Sequence, residues 1–129
     1  MTRDDVQRWI DAYVDAWRTY DRDAIGALFT KDATYRYQPY RDPVVGREAI
    51  VADWLDDPDE AGSWEATYEP YAVEGDRAVA VGESRYLETD GSLKTLYYNV
   101  WLLRFDGDGR CADFIEYWRE LPEELRARG

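Results

Sequence analysis

Histidine is absent from this chain of 129 residues, and cysteine occurs once, at Cys111. Without an imidazole there is no histidine base, no Ser/His or Cys/His pair and no typical zinc site. A lone thiol forbids an intramolecular disulfide, and Cys111 reads as a small buried strand residue. Any chemistry must therefore rest on carboxylates, phenols and amides, with no metal and no cofactor expected. Long uncharged apolar runs are also missing, so nothing approaches a membrane span, and the opening Met-Thr-Arg-Asp-Asp has no apolar secretion core. The expectation is a cytoplasmic protein with no membrane partner. Basic clusters longer than two residues are absent too. At a formal net charge of −12, such a surface repels phosphate backbones, and nucleic acid is not an expected partner.

What the chain has in abundance is aromatic side chains, 16% of all residues, dispersed among charged ones that make up 34%. That mixture fits a folded chain, and the length suits a single domain over residues 1–129. Thr2 followed by Asp5 resembles a capping box, and Val6, Trp9, Ile10, Tyr13, Trp17 and Tyr20 recur at helical spacing, which predicts a helix to about Tyr20. Asp21 can cap a second helix carrying Ile25, Leu28 and Phe29 and ending near Asp32. Ala33 to Gln38 reads as a strand closed by Pro39 and Pro43; Gly46 precedes a third helix over Arg47 to Leu55; Asp56 to Gly62 reads as a charged, solvated loop. Four longer strands follow at about Trp64 to Val73, Arg77 to Glu88, Leu93 to Phe105 and Arg110 to Glu120, joined by short Gly- and Asp-containing turns.

Strands in succession make an antiparallel meander, and helices gathered before it give an α+β architecture with a cavity between helices and sheet. Period two sorts Ala78, Ala80, Gly82, Ser84 and Tyr86 onto one face with Asn99, Trp101, Leu103, Phe105, Phe114, Glu116 and Trp118. The opposite face also carries large apolar groups. Three helices can cover only one face, so the convex one is expected to meet a second copy in a homodimer.

Four phrases in order, Ala12 to Trp17, Asp23 to Tyr35, Pro43 to Ile50 and Asp108 to Trp118, make the chain resemble the nuclear-transport-factor-2-like superfamily, in particular its SnoaL-like and ketosteroid-isomerase-like bacterial members. The resemblance implies a conical α+β barrel of a curved antiparallel sheet with three helices from the N-terminal half, and a pocket at the wide end. It places an oxyanion-hole tyrosine at Tyr13. It also puts Tyr37 where ketosteroid isomerases keep their basic aspartate and Trp101 where they keep a neutral aspartic acid, so steroid isomerisation is not implied. Against limonene-epoxide-hydrolase-like members, Tyr35 and Glu116 match, whereas Ser84 and Tyr86 stand at the Arg-x-Asp pair and Tyr37 at the asparagine. That site is incomplete. SnoaL-like cyclases place an acidic residue on the last strand, which falls on Glu116.

The candidate catalytic group is therefore Glu116 with Tyr13 or Tyr35 stabilising an enolate oxygen, and the candidate ligand contacts are Tyr37, Trp54, Ser84, Tyr86, Asn99, Trp101, Phe114 and Trp118. A glutamate among aromatic walls should have a raised pKa, suited to proton transfer near neutral pH. The competing reading of Glu116 is a structural carboxylate hydrogen-bonded to a tyrosine or Asn99. Trp9, Trp17, Trp54 and Phe29 fit core packing, with Trp54 also within reach of a ligand. The expected function is binding of a small, largely apolar, cyclic or aromatic molecule, with cofactor-independent isomerase, cyclase or hydratase chemistry. The alternative is a noncatalytic binding or dimeric assembly module of the same fold.

Overall fold

The computed structural model describes residues 1–126. Helix α1, Arg3–Thr19, begins at a true capping box: Asp5 N–H donates to Thr2 Oγ1 at 3.1 Å, and Thr2 N–H donates to Asp5 Oδ2 at 2.9 Å. Its buried stripe is Val6, Trp9, Ile10, Tyr13 and Ala16. The helix stops at Tyr20, whose φ of 50° is unusual for a bulky residue. That left-handed turn leaves the Tyr20 hydroxyl accepting from the Asp59 backbone N–H at 2.8 Å, which ties the helix end to a distant loop.

Asp21 caps α2, Arg22–Ala27, by accepting from Ala24 N–H at 3.0 Å. This helix is shorter than the sequence pattern predicts: it ends at Ala27, and Phe29 already opens strand β1, Phe29–Arg36. The reason lies far along the chain. The Leu28 carbonyl, which a continuing helix would need, instead accepts from Cys111 N–H at 2.8 Å and from Trp9 Nε1 at 2.9 Å. Tertiary donors thus replace the helical one.

Strand β2, Val44–Val45, leads through Gly46 at φ 94° into α3, Arg47–Asp56. Then come β3 (Trp64–Glu74), β4 (Arg77–Leu87), β5 (Leu93–Phe105), β6 (Cys111–Glu120) and a short α4 (Glu123–Arg126) that the sequence pattern did not announce. Arg126 secures α4 by donating to the Lys94 carbonyl at 2.9 Å and to Thr95 Oγ1 at 3.0 Å. The architecture is α+β, with a curved six-stranded sheet in the order β2-β1-β6-β5-β4-β3. Strands β3 to β6 form the expected antiparallel meander, while β1 joins β6 in parallel.

One glycine sets how the meander closes. A Cβ at Gly82 would lie 2.0 Å from the Thr67 carbonyl oxygen and 2.6 Å from the Tyr68 ring. Its bare Cα lets β3 press against β4, and Tyr68 then lies flat on Trp101 at 4.1 Å between ring centroids. Helix α1 packs on β3 and α2, and α3 packs on α2 and β1, so the helices and the sheet share a core containing Ile10, Ile25, Phe29, Ile50, Leu103 and Phe105. On the other sheet face Tyr98, Leu102 and Tyr117 stay exposed beside Tyr40. Among the described residues no helix is long and apolar enough to cross a membrane.

Candidate functional site

Helices α1 and α3, the loop after α3, and strands β1 and β3 to β6 enclose a cavity of about 580 Å³. Two cross-strand rows run beneath it, Ala80 opposite Trp101 opposite Glu116, and Gly82 opposite Asn99 opposite Trp118, and of these Trp101, Glu116 and Asn99 line its inner part and Trp118 its rim. Because Trp101 and Glu116 face each other across β5 and β6, the indole N–H reaches the carboxylate: Trp101 Nε1 donates to Glu116 Oε2 at 2.8 Å. Burial raises the Glu116 pKa to about 7, and hydrogen bonding from Trp101 and, less strongly, Asn99 restrains the rise. A carboxyl in that condition exchanges its proton readily at neutral pH.

Above the floor, the Tyr13 and Tyr35 hydroxyls share a hydrogen bond of 2.6 Å. Both residues line the cavity and both phenols are held well above their ordinary pKa, Tyr13 by burial and then by the charge of Glu116, Tyr35 by burial and then by Tyr13 and Glu116. The pair therefore stays neutral. In such a pair one proton is used internally and the other remains to be donated.

Of the other sequence-predicted contacts, Tyr37, Trp54, Ser84, Tyr86, Asn99, Trp101 and Trp118 all line the cavity. They differ in depth. Trp54, Ser84, Asn99 and Trp101 are buried, while Tyr37 and Trp118 stand at the exposed rim. The Tyr37 hydroxyl donates to Asp53 Oδ2, and burial, then this bond and the Asp53 charge, push its pKa up. A phenol so placed is no base.

Phe114 departs from expectation, because it does not reach the cavity. It is fully buried and stacks on Tyr35 at 4.2 Å and on Tyr13 at 5.6 Å, both nearly parallel. Its inward parity is correct, but the two tyrosines lie between it and the open space. It backs the site instead of touching a ligand.

Asp59 is the second correction. The acidic loop is expected to be a solvated face, and Asp56, Asp57 and Glu60 are exposed, Asp57 at the edge of the cavity; Asp59, however, is half-buried in the cavity wall, and its Oδ2 accepts from Trp17 Nε1 at 2.9 Å. Trp17, expected in the core, is half-buried at the wall and stacks on Trp64 at 3.7 Å. No local pattern announces this contact, since the loop and α1 meet only in the folded chain. Tyr68 was also missed. It hydrogen-bonds Ser84 and lines the wall beside Trp101, and the alternation Trp64, Ala66, Tyr68 on β3 could have placed it there.

Comparison with known proteins agrees with this architecture. The SnoaL-like domain model matches residues 10–114. No curated protein matches the sequence. The crystal structure of a provisional ketosteroid isomerase from Kribbella flavida DSM 17836 superposes with a TM-score of 0.71 and 17% identity, over 94% of this chain and 82% of that one. At such identity the likeness extends to the fold and no further.

Proposed function

The chain belongs to the SnoaL-like domain family, and on that premise we propose that it binds a small, largely apolar, cyclic or aromatic molecule and acts on it by cofactor-independent acid/base chemistry through Glu116. The family fold supports a small-molecule-binding domain. The observation that carries the catalytic part is Glu116 itself: a carboxyl on the cavity wall, raised to about pKa 7 by burial. As a carboxylate it takes a proton from a carbon beside a substrate carbonyl. The resulting enolate oxygen accepts the free proton of the Tyr13–Tyr35 pair as a hydrogen bond, and the carboxylic acid returns its proton to a second carbon or oxygen.

Two neighbouring chemistries fit less well. Tyr37 occupies the position of the ketosteroid isomerase base and is bound to Asp53, and Trp101 occupies that of the neutral acid and donates to Glu116. Ser84 and Tyr86 leave the epoxide-hydrolase arrangement without its arginine and aspartate. A noncatalytic binding role is the second reading, favoured by the Trp101 hydrogen bond that already satisfies one Glu116 oxygen.

Proton abstraction can be tested without knowing the natural substrate. Cyclic ketones such as indanone and β-tetralone, incubated with the protein in deuterated water, should exchange their α-hydrogens faster than in buffer, with a rate that rises with pH through about 7. Glu116→Gln should abolish the excess. Ketones that bind without protein-dependent exchange would leave only the binding role. We also read the uncovered face, where Tyr40, Tyr98, Val100 and Tyr117 line a groove of about 340 Å³, as a homodimer contact. A light-scattering mass of one chain at micromolar concentration overturns that reading.

A further inference from the structure

The two oxygens of the Glu116 carboxyl are not equivalent. Oε2 accepts from Trp101 Nε1 at 2.8 Å. Oε1 accepts no hydrogen bond of ordinary length among the described residues, yet it is not sealed from water as the Asn99 oxygen is, so it is the oxygen that keeps surface toward the cavity.

The donor is firmly fixed. Trp101 is 1% exposed, its ring lies on Tyr68 at 4.1 Å between centroids, and Tyr13 and Phe114 pack against it at 4.6 and 5.2 Å. Tyr68 is held in turn by its hydroxyl bond to Ser84 and by the close approach of β3 to β4 that Gly82 permits. An indole packed on every side has no second rotamer to turn into, so its N–H stays aimed at Oε2. That group can only donate. When Glu116 is protonated, a hydroxyl oxygen at Oε2 would be a poorer acceptor for the indole than a carbonyl oxygen, so the proton belongs on Oε1.

We infer that Trp101 is the positioning residue of this site: by occupying Oε2 it makes Glu116 a one-oxygen acid/base, in which Oε1 both takes the substrate proton and returns it. The inference rests on the acid/base reading of the cavity. The substrate C–H bond breaks as the Oε1–H bond forms, the electron pair passes to the enolate, and delivery of the proton to carbon or oxygen restores the carboxylate. Ionisable groups that feel the Glu116 charge do not compete for that proton. They are the phenols of Tyr13 on α1, Tyr35 on β1, Tyr37 just after it, Tyr68 on β3 and Tyr86 on β4, all kept neutral chiefly by burial. Asp53, Asp57, Asp59 and Lys94 also line the wall, and none of them contributes to the Glu116 shift.

Trp101→Phe keeps a ring against Tyr68 and removes the N–H. With β-tetralone in deuterated water, wild-type exchange should rise through a midpoint near 7. In the variant the midpoint should move up by roughly one pH unit, because a donor to the charged form is lost, and the alkaline plateau should fall severalfold with KM little changed. Loss of packing alone would admit water and leave the midpoint in place or lower it. A second readout needs no turnover: in wild-type protein isotopically labelled at its six indole nitrogens, one N–H resonance should titrate with a midpoint near 7 and cease to do so in Glu116→Gln. If Trp101→Phe does not fold, that titration decides alone. No indole resonance titrating near 7, or a midpoint unmoved or lowered in folded Trp101→Phe, overturns the role of Trp101, while wild-type exchange still leaves Glu116 as the base. Absence of exchange from the wild type overturns the acid/base reading and this inference with it.

Discussion

Two carboxylates of the cavity wall each accept a hydrogen bond from a tryptophan indole at nearly the same distance, Glu116 from Trp101 at 2.8 Å and Asp59 from Trp17 at 2.9 Å. Their settings differ. Glu116 sits on a strand between the buried Trp101 and the rest of the sheet, and burial outweighs the hydrogen bond to lift its pKa to about 7. Asp59 sits on a loop, takes a further contact from the Tyr20 hydroxyl at 3.4 Å, and fastens that loop to the end of α1. The same donor therefore serves a proton-exchanging group in one place and a structural latch in the other. What separates them is the amount of water removed, which the hydrogen-bond inventory alone does not reveal.

The largest expected effect breaks the comparison at its chemical end. Glu116→Gln should reduce protein-dependent ketone exchange by ~10²-fold or more while leaving binding of the neutral ketone largely in place, as measured by deuterium incorporation and calorimetry. Asp59→Asn should change that rate little. A comparable loss in both variants would mean that the two carboxylates are not divided into reactive and structural roles.

Next in size is Gly82→Ala, which forces a Cβ into the Thr67 carbonyl and Tyr68. A loss of about 3 kcal/mol is expected by urea denaturation, since backbone cannot yield as a flexible side chain can. Trp101 loses its stacked partner in the process. The Trp17–Trp64 stack lies elsewhere and should be spared, so near-ultraviolet circular dichroism should change only in part.

The sign of the Glu116 shift gives the third expectation. Between its ordinary pKa of 4.5 and about 7 the folded state holds a proton that the unfolded state has released, so folding stability falls as pH rises across that window and levels off above it. Glu116→Gln removes the penalty. Well above neutral pH it should be more stable than the parent by about 3 kcal/mol, and near pH 4 the two should converge. Thermal unfolding at both pH values measures this. Equal stability at high pH would show that water reaches the carboxylate more freely than its burial implies.

The smallest effect belongs to the latch. Asp59→Asn keeps an acceptor for Trp17 but loses its charge, and should cost about 1 kcal/mol with faster hydrogen exchange confined to the loop before β3.

How far the sequence could carry this picture depended on whether the deciding contacts were local. The capping box at Thr2 and Asp5 is read from four consecutive residues, and the inward set on β4, β5 and β6 follows from strict alternation, so the sequence alone groups Glu116, Asn99 and Trp101. Phe29 could not be assigned by the same means, because it satisfies the helical spacing from Ile25 and the start of a strand equally well. Only the capture of the Leu28 carbonyl by Cys111 and Trp9 decides between them. Phe114 shows the limit of parity, which gives direction and not depth. Asp59 shows a different limit: its partners Trp17 and Tyr20 are some forty positions away, and charge in a Gly- and Pro-containing loop ordinarily means solvation.

Cys111 sits where β1 meets β6 in parallel, opposite Phe29 and fully buried, with burial pushing its thiol up to about 12. No other sulfhydryl competes with it. An alkylating or disulfide reagent should therefore find nothing to modify until that seam parts, which makes the thiol a natural clock for the opening of the one strand pair that joins the two ends of the chain. Its labelling rate, followed with and without a bound cyclic ketone, would time how often the molecule breathes and whether an occupied cavity holds it shut.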